Sequence, residues 1–293
     1  GGICIYGDGG NQVISHNRIV ANTADFGGGI YIEKSAVTIS HNSIMENSTT
    51  EAGGGLHLEN LEQSTIENNI ITGNSAQGFA GGLLVEGGYH TMVGNLVSEN
   101  SCYSYGGGIY LKTTHCLIEE NRIIGNLTTG GSSRGGGVHV LYGSHHFEKN
   151  EVSDNHSTGG GGLFFDGSYS TLTDNDIHQN SASSGGGGIK IRNGNLDIVG
   201  NRITGNTALA GGGLHTYAEH GFENIIADNI VTHNTAMTSG GGLLVASGTH
   251  TITGNTFDAN SAEKGGGVLV DGYGRKTIGS NVISGNQASN GGG

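Results

Sequence analysis

The chain has 293 residues, of which 59 are glycine and none is proline, and its formal net charge is −13 at pH 7. This negative charge argues against a nucleic-acid or anionic-membrane partner, and no apolar stretch approaches the roughly 20 residues of a membrane span. Because proline is absent, no strand loses a ladder hydrogen bond to it.

A repeat unit begins with a short glycine run, followed by two apolar residues that flank one other residue, as in residues 27–32 (GGGIYI). The first of these apolar residues recurs every 25–29 residues, a spacing typical of stacked supersecondary units. Eleven positions have this role: Ile3, Ile30, Leu56, Leu83, Ile109, Val138, Leu163, Ile189, Leu214, Leu243 and Val268.

Two asparagine ladders accompany the repeat, five residues apart in every unit, with an apolar residue between them. Asparagine carries a donor and an acceptor on a short side chain and tolerates left-handed backbone angles. We therefore expect inward asparagines that bond the backbone of a bend and their copies in neighbouring units. The first ladder is Asn17, Asn42, Asn69, Asn95, Asn121, Asn150, Asn175, Asn201, Asn229, Asn255 and Asn281, and the second is Asn22, Asn47, Asn74, Asn100, Asn126, Asn155, Asn180, Asn206, Asn234, Asn260 and Asn286.

The apolar runs are short and alternate with period two, which predicts strands rather than helices. A single unit is too short to stand alone, whereas stacked units bury a shared core. The sequence therefore predicts an all-β parallel β-helix of about eleven coils of 25–29 residues, with three short strands per coil stacked about 4.8 Å apart. Residues 1–293 form a single domain in this interpretation.

Neither end of the chain resembles a cap, and an exposed strand edge promotes aggregation unless it is covered. We expect a segment of a longer protein or a subunit that associates end to end or laterally. Cys102 and Cys116 share a coil, and the sequence is compatible both with a disulfide between them and with two small, semi-buried free cysteines.

The combined motifs resemble the repeats of chlamydial polymorphic membrane proteins and related surface β-helices, and the broader pectate-lyase-like group. Gly28-Gly29-Ile30-Tyr31 with Ile19-Val20-Ala21-Asn22 carries the resemblance, as does Gly266-Gly267-Val268-Leu269 with Phe257-Asp258-Ala259-Asn260. It implies a right-handed, single-stranded β-helix and a secreted surface protein. Those groups contain adhesins, autotransporter passengers, lyases and hydrolases, so the resemblance does not select one activity.

Outward columns and period-breaking loops are where function is expected. One column is unusually aromatic, and the column two residues further carries three successive glutamates. Together they predict a lateral contact face or a sugar-binding strip, with plain β-propensity as the alternative. No metal or cofactor is expected, with a Ca²⁺ ion on the glutamates as the alternative. The predicted binding face comprises Tyr31, His57, Tyr110, His139, Phe164, Glu33, Glu59 and Glu86.

Glu151 and Asp176 occupy one outward position in adjacent coils, between Arg122 and Arg202. Two such carboxylates can share a proton or flank a glycosidic bond, which makes Glu151, Asp176 and Arg202 the catalytic candidates. The interpretation we favour is a salt-bridge ladder of alternating charge.

Two further groups of residues are candidate functional sites. Tyr217, Glu219 and His220 lie in a longer coil and are a candidate acid/base set. His16 and His41 occupy one position in adjacent coils, as a pair of Zn²⁺ ligands would, but a third ligand is absent. The whole pattern favours a structural or adhesive β-helix at the cell surface, forming a stalk, fibre or filament segment. The alternative is a polysaccharide lyase or glycoside hydrolase with an outer-face groove, and a glycan-binding surface is a third interpretation.

Overall fold

The computed structural model is an all-β parallel β-helix of eleven coils, and it describes residues 1–7, 10–219 and 221–293. Each strand pairs in parallel with the strand at the same position in the next coil. The predicted fold class and number of coils are confirmed. Within the described ranges, no helix is long and apolar enough to cross a membrane.

Four sheets of eleven strands run along the β-helix, numbered 1 to 4 in the order in which a coil visits them. Sheet 1 contains Ile3–Tyr6, Ile30–Glu33, Leu56–Glu59, Leu83–Glu86, Ile109–Lys112, Val138–Leu141, Leu163–Asp166, Ile189–Arg192, Leu214–Tyr217, Leu243–Ser247 and Val268–Val270. Sheet 2 contains Gln12–Ser15, Val37–Ser40, Gln63–Glu67, Tyr89–Val93, His115–Glu119, Ser144–Glu148, Tyr169–Thr173, Asn195–Val199, Glu223–Ala227, Thr249–Thr253 and Lys276–Gly279.

The other two sheets are made of shorter strands. Sheet 3 contains Arg18–Val20, Ser43–Met45, Ile70–Thr72, Leu96–Ser98, Arg122–Ile124, Glu151–Ser153, Asp176–His178, Arg202–Thr204, Ile230–Thr232, Thr256–Asp258 and Val282–Ser284. Sheet 4 contains Thr23–Phe26, Ser48–Ala52, Ser75–Ala76, Ser101–Cys102, Leu127–Thr128, His156–Gly159, Ser181–Gly185, Thr207–Ala210, Thr235–Ser239, Ser261–Lys264 and Gln287–Asn290.

The prediction of three strands per coil is wrong, because sheet 4 lacks the alternating apolar pattern that identified the other strands. Ser48–Ala52 reads STTEA, and only Thr49 and Ala52 are buried. Backbone hydrogen bonds to neighbouring coils define this sheet, and a search for apolar periodicity does not detect them. Its buried inward residues are small: Thr49, Ala76, Cys102, Thr128, Ser157, Ala182, Ala208, Ala236 and Ala262.

One continuous hydrophobic core fills the β-helix from Ile14 to Phe257. Sheet 1 contributes pairs such as Ile30 and Ile32, which are fully buried. Sheets 2 and 3 contribute one main column each, represented by the fully buried Ile66 and Ile71. Because burial of such a side chain contributes about 1.5–3 kcal/mol, stacking supplies stability that a single coil does not have.

The ladder asparagines are buried from Asn42 to Asn260 and bond from coil to coil. Asn69 donates its backbone N–H and its side-chain Nδ2 to Oδ1 of Asn95, both at 3.0 Å. Its Nδ2 also donates to the carbonyl oxygen of Ile39 at 2.8 Å. These bonds satisfy backbone groups that leave the sheets at the bends, which explains the constant spacing of the two ladders.

Left-handed backbone is found at the residue before each ladder asparagine and not at the asparagine, which corrects the sequence interpretation. His233, which precedes Asn234, has a φ of 56°, and Gly205, at the same position one coil earlier, has a φ of 64°. The preceding residue therefore makes the turn, and the asparagine supplies its hydrogen bonds.

The glycine run forms the corner between sheets 4 and 1. Gly53 has a φ of 69°, and a Cβ on Gly54 would lie 2.3 Å from the carbonyl oxygen of Gly81 in the next coil. The positive φ at Gly53 and the close carbonyl oxygen at Gly54 both favour glycine over residues that carry a Cβ. The cysteines are free: Cys102 and Cys116 are buried and Cys4 is exposed, so the question of a Cys102–Cys116 disulfide is answered in the negative.

Candidate functional site

The aromatic column of sheet 1 points away from the core but is buried in its central coils, so its side chains are not open to solvent there as expected for an outward column. The cover is a second column, formed by residues that precede the glycine run at the corner with sheet 4. The ring centroid of Phe26 lies 5.7 Å from that of His57, and the centroid of Tyr105 lies 4.9 Å from that of His139. The buried column comprises His57, Leu84, Tyr110, His139 and Phe164, and the covering column comprises Phe26, Phe79, Tyr105 and Arg134.

A cavity of about 600 Å³, which we name the aromatic cleft, lies between these two columns. This volume is typical of small-molecule sites, which combine apolar walls with a few polar groups. Phe26, Phe79 and Tyr105 line it from the sheet 4 side, and His57, Glu59 and Glu86 line it from sheet 1. With Tyr31 and Tyr110, which also line it, the cleft gathers five residues of the predicted binding face.

His57 and two glutamates converge at the floor of the aromatic cleft. Nε2 of His57 lies 3.8 Å from Oε2 of Glu86 and 4.0 Å from Oε2 of Glu59. The Tyr31 hydroxyl donates to Glu59 Oε2 at 2.7 Å, and Lys112 Nζ donates to Glu86 Oε1 at 2.6 Å. The neighbouring imidazole of His57 and ammonium of Lys112 lower the pKa of Glu86 to about 2, so this carboxylate is ionised at neutral pH.

Glu33, the third stacked glutamate, does not join this group. Its carboxylate pairs with Lys34 at 3.0 Å and accepts a hydrogen bond from Tyr31 at 3.3 Å. The ligand atoms that lie within 4.8 Å of one another belong to His57, Glu59 and Glu86. The sequence signal for this set was available, since His57 and Glu59 are two residues apart on one strand and therefore share a face.

The rest of the predicted binding face is enclosed by charged groups. Arg134 lies over the Phe164 ring at 5.3 Å, and its Nη1 is 3.3 Å from Oδ2 of Asp166. Arg192 Nε donates to Oδ1 of the same carboxylate at 2.8 Å. Burial, with Arg134 and Arg192 nearby, lowers the pKa of His139 to about 3. This imidazole is therefore neutral at pH 7.

A second concave surface, which we name the sheet 2 groove, was not predicted from the sequence. It has a volume of about 660 Å³ and is lined by five successive strands of sheet 2, from Val37 to His146, and by Asn11 of the first coil. The Thr38, Thr65 and Thr91 column runs along it and continues as Leu117 and His146.

Exposed rings and polar side chains edge the sheet 2 groove. The Tyr89 and His115 rings stack with centroids 4.8 Å apart, and Tyr89 is 67% exposed. Gln63 and Ser144 extend this edge in the flanking coils. The alternation of polar residues on sheet 2 was visible in the sequence, but its combination with a concave surface was not.

The charged face on sheet 3 forms a ladder of ion pairs. Arg122 Nε lies 2.7 Å from Oε2 of Glu151, and Arg202 Nη1 lies 2.9 Å from Oδ1 of Asp176. Glu151 and Asp176 are register partners in adjacent strands. Each carboxylate is thus held by its own guanidinium group, as in the salt-bridge interpretation.

The remaining sequence candidates are separate from these surfaces. His16 and His41 stack with centroids 5.0 Å apart and parallel ring planes, and both are exposed. Their nitrogens belong to no described cluster of three metal-ligating side chains. Of the acid/base set, Tyr217 and Glu219 are described, whereas His220 lies outside the described residues.

A family model described as "Right handed beta helix region" matches residues 1–96 and 81–257. The chain belongs to this right-handed β-helix family. The match confirms the β-helix part of the resemblance, whereas the likeness to chlamydial repeats stays a prediction. No curated protein and no solved structure matches this β-helix protein.

Proposed function

We propose that this β-helix protein is an adhesive scaffold, displayed outside the cell, whose sheet 2 groove binds an extended neutral glycan. The observation that carries the proposal is the groove, which continues across five coils on rigid parallel strands. Such a surface repeats its polar groups once per coil, about every 4.8 Å. An extended polysaccharide repeats its hydroxyl groups in a similar way.

The chemistry of the groove favours a neutral glycan over a charged polymer. None of its described lining residues is Asp, Glu, Lys or Arg. Threonine and serine hydroxyls donate and accept hydrogen bonds, as does the Gln63 amide. Tyr89 adds an amphipathic ring, a side chain that combines apolar contact with hydrogen bonding.

Binding is favoured over catalysis because the candidate carboxylates are already engaged. Glu151 and Asp176 pair with Arg122 and Arg202 on an exposed face of sheet 3, away from the sheet 2 groove. Exposed ion pairs of this kind contribute little energy and are common without function. No observation favours the lyase or hydrolase alternative, which is an outcome of the experiment below.

The test is binding of the purified chain to a panel of neutral and acidic polysaccharides, measured by affinity electrophoresis and calorimetry. We expect binding to at least one neutral polymer, and a Tyr89→Ala variant that weakens it more than about tenfold, the loss of about 1.4 kcal/mol expected for an aromatic contact. Tyr169→Ala is the matched control, because Tyr169 is exposed in the same column but outside the groove.

Binding of no polymer, or equal losses in both tyrosine variants, contradicts the proposal. Release of new reducing ends or unsaturated products favours the enzyme alternative instead. Association of the protein with itself, end to end or laterally, or with adjoining domains, stays a prediction, and sedimentation of the purified chain over a concentration range checks it.

A further inference from the structure

We propose that His57, Glu59 and Glu86 form a binding site for a divalent transition-metal ion such as Zn²⁺. This inference concerns the aromatic cleft and does not depend on glycan binding in the sheet 2 groove. The β-helix register pairs Glu59 with Glu86 of the next coil. His57 lies two residues before Glu59 on the same strand, so all three side chains leave the same face of sheet 1.

The buried imidazole is the independent observation that points to a ligand. The His57 side chain is 4% exposed, and neither of its ring nitrogens has a hydrogen-bond partner. A buried polar atom without a partner destabilises the fold, because its lost hydrogen bonds to water are not replaced. Nε2 points at two carboxylate oxygens that are too distant for a hydrogen bond, at 3.8 Å and 4.0 Å.

A metal ion fits between these atoms better than a direct contact does. Zn–N and Zn–O bonds are about 2.0–2.2 Å long. Two ligand atoms bound to the same ion therefore lie less than twice that distance apart. The observed separations, all within 4.8 Å, need only a small rotation of the glutamate side chains. These side chains are 33% and 23% exposed and have room to rotate.

The donor set selects the class of ion. One imidazole nitrogen and two carboxylates suit zinc and its neighbours in the first transition row. Ca²⁺ takes six to eight oxygen ligands, and the sheet offers two glutamates because Glu33 is turned to Lys34. The site therefore disfavours the Ca²⁺ alternative considered from the sequence.

Two neighbours fix the carboxylates from the outside. The Tyr31 hydroxyl donates to Glu59 at 2.7 Å, and Lys112 donates to Glu86 at 2.6 Å. Such outer hydrogen bonds orient metal ligands and tune the affinity of the site. With three protein ligands, a tetrahedral ion keeps one position free. Because all three ligands line the aromatic cleft, that position would open into the cleft and accept water or a small oxygen or nitrogen donor.

The experiment is a Zn²⁺ titration of the full chain after dialysis against EDTA, followed by calorimetry, with Co²⁺ absorption as a second readout. We expect one ion per chain, and a loss of affinity greater than about tenfold in His57→Asn and in Glu86→Gln. Zn²⁺ should also raise the melting temperature of the wild type, because it binds the folded state.

His139→Asn is the matched control, since His139 is an equally buried and unpartnered imidazole in the same column. Leu141 lies two residues after His139 on the same strand, and its register partners in the coils on either side are Lys112 and Asp166. The Asp166 carboxylate is held by two arginines. We expect its Zn²⁺ affinity to stay within twofold of the wild type, as should that of Cys4→Ser, which removes an exposed thiol.

Absence of Zn²⁺ binding to the wild type, or unchanged affinity in both ligand variants, overturns the proposal. It would leave direct packing of the His57 ring against the two carboxylates as the explanation of the geometry. If His57→Asn does not fold, as judged by its β-sheet circular dichroism, the Glu86→Gln and Glu59→Gln variants, at partly exposed positions, decide the question.

Discussion

Asn121 donates both its backbone N–H and its side-chain Nδ2 to a single atom, Oδ1 of Asn150 in the next coil, at 2.9 Å and 3.1 Å. The same Nδ2 reaches the carbonyl oxygen of Met92 at 2.8 Å. One amide side chain therefore connects three coils. The ladders therefore add side-chain hydrogen bonds to the backbone bonds that hold the coils in register.

Removal of this amide should destabilise the fold. We expect Asn121→Ala to lower the free energy of unfolding by about 3 kcal/mol, because buried backbone groups lose their partners. Ile123→Asp should cost at least as much, since it places a carboxylate in the core. The adjacent Arg122→Ala is the control and should cost less than about 0.5 kcal/mol. Urea denaturation measures all three, and equal effects would contradict the inward and outward assignment.

Two substitutions at the left-handed turn positions should change stability in opposite directions. His233 is exposed and has a φ of 56°, so His233→Gly should relieve strain and raise stability by about 0.5 kcal/mol. Gly205→Ala, at the same position one coil earlier, should lower it by about 1 kcal/mol. The added Cβ meets its nearest neighbour at 3.8 Å, an ordinary contact, so crowding does not explain such a loss.

Changes of the same sign in both variants, measured by thermal unfolding, would contradict this assignment of strain.

Acid should destabilise the protein through His139. Burial, with Arg134 and Arg192 nearby, lowers the pKa of this imidazole from 6.5 to about 3. Between these values the unfolded chain binds a proton that the folded chain does not, so stability falls as the pH decreases from 6.5 towards 3. Urea denaturation at pH 7 and pH 4.5 measures the loss. His139→Phe, which keeps a ring beside Phe164, should reduce it.

Tyr110→Phe is the control, because Tyr110 stacks on His139 at a centroid distance of 5.0 Å without titrating in this range. If the pH dependence of stability is unchanged in His139→Phe, other titrating groups cause it.

Two carboxylates that both pair with arginine should contribute differently to stability, because one is buried and the other is exposed. The Asp166 side chain is 9% exposed and pairs with Arg134 and Arg192, so Asp166→Asn should cost about 2–3 kcal/mol. The Asp176 side chain is 46% exposed, and Asp176→Asn should cost less than about 0.5 kcal/mol. Chemical denaturation compares them, and a similar loss in both would mean that burial does not set the strength of these pairs.

Much of the fold follows from the sequence because identical positions stack on one another in a solenoid. The two asparagine ladders and the apolar columns fix the period, and the period fixes the register of three sheets. Sheet 4 was missed because its order comes from backbone bonds, which leave no mark on a segment such as Ser48–Ala52.

The sequence by itself determined the coil, the period and the inward columns, since these depend on spacing along the chain. Only the tertiary structure decided which outward residues meet, because that depends on how the glycine corner brings sheet 4 side chains against those of sheet 1. Phe26 and Phe79 therefore cover His57 and Tyr110, and His57 is turned towards Glu59 and Glu86 in place of water. Side-chain identity sets the chemistry of each column, but the corner sets which columns share a cavity.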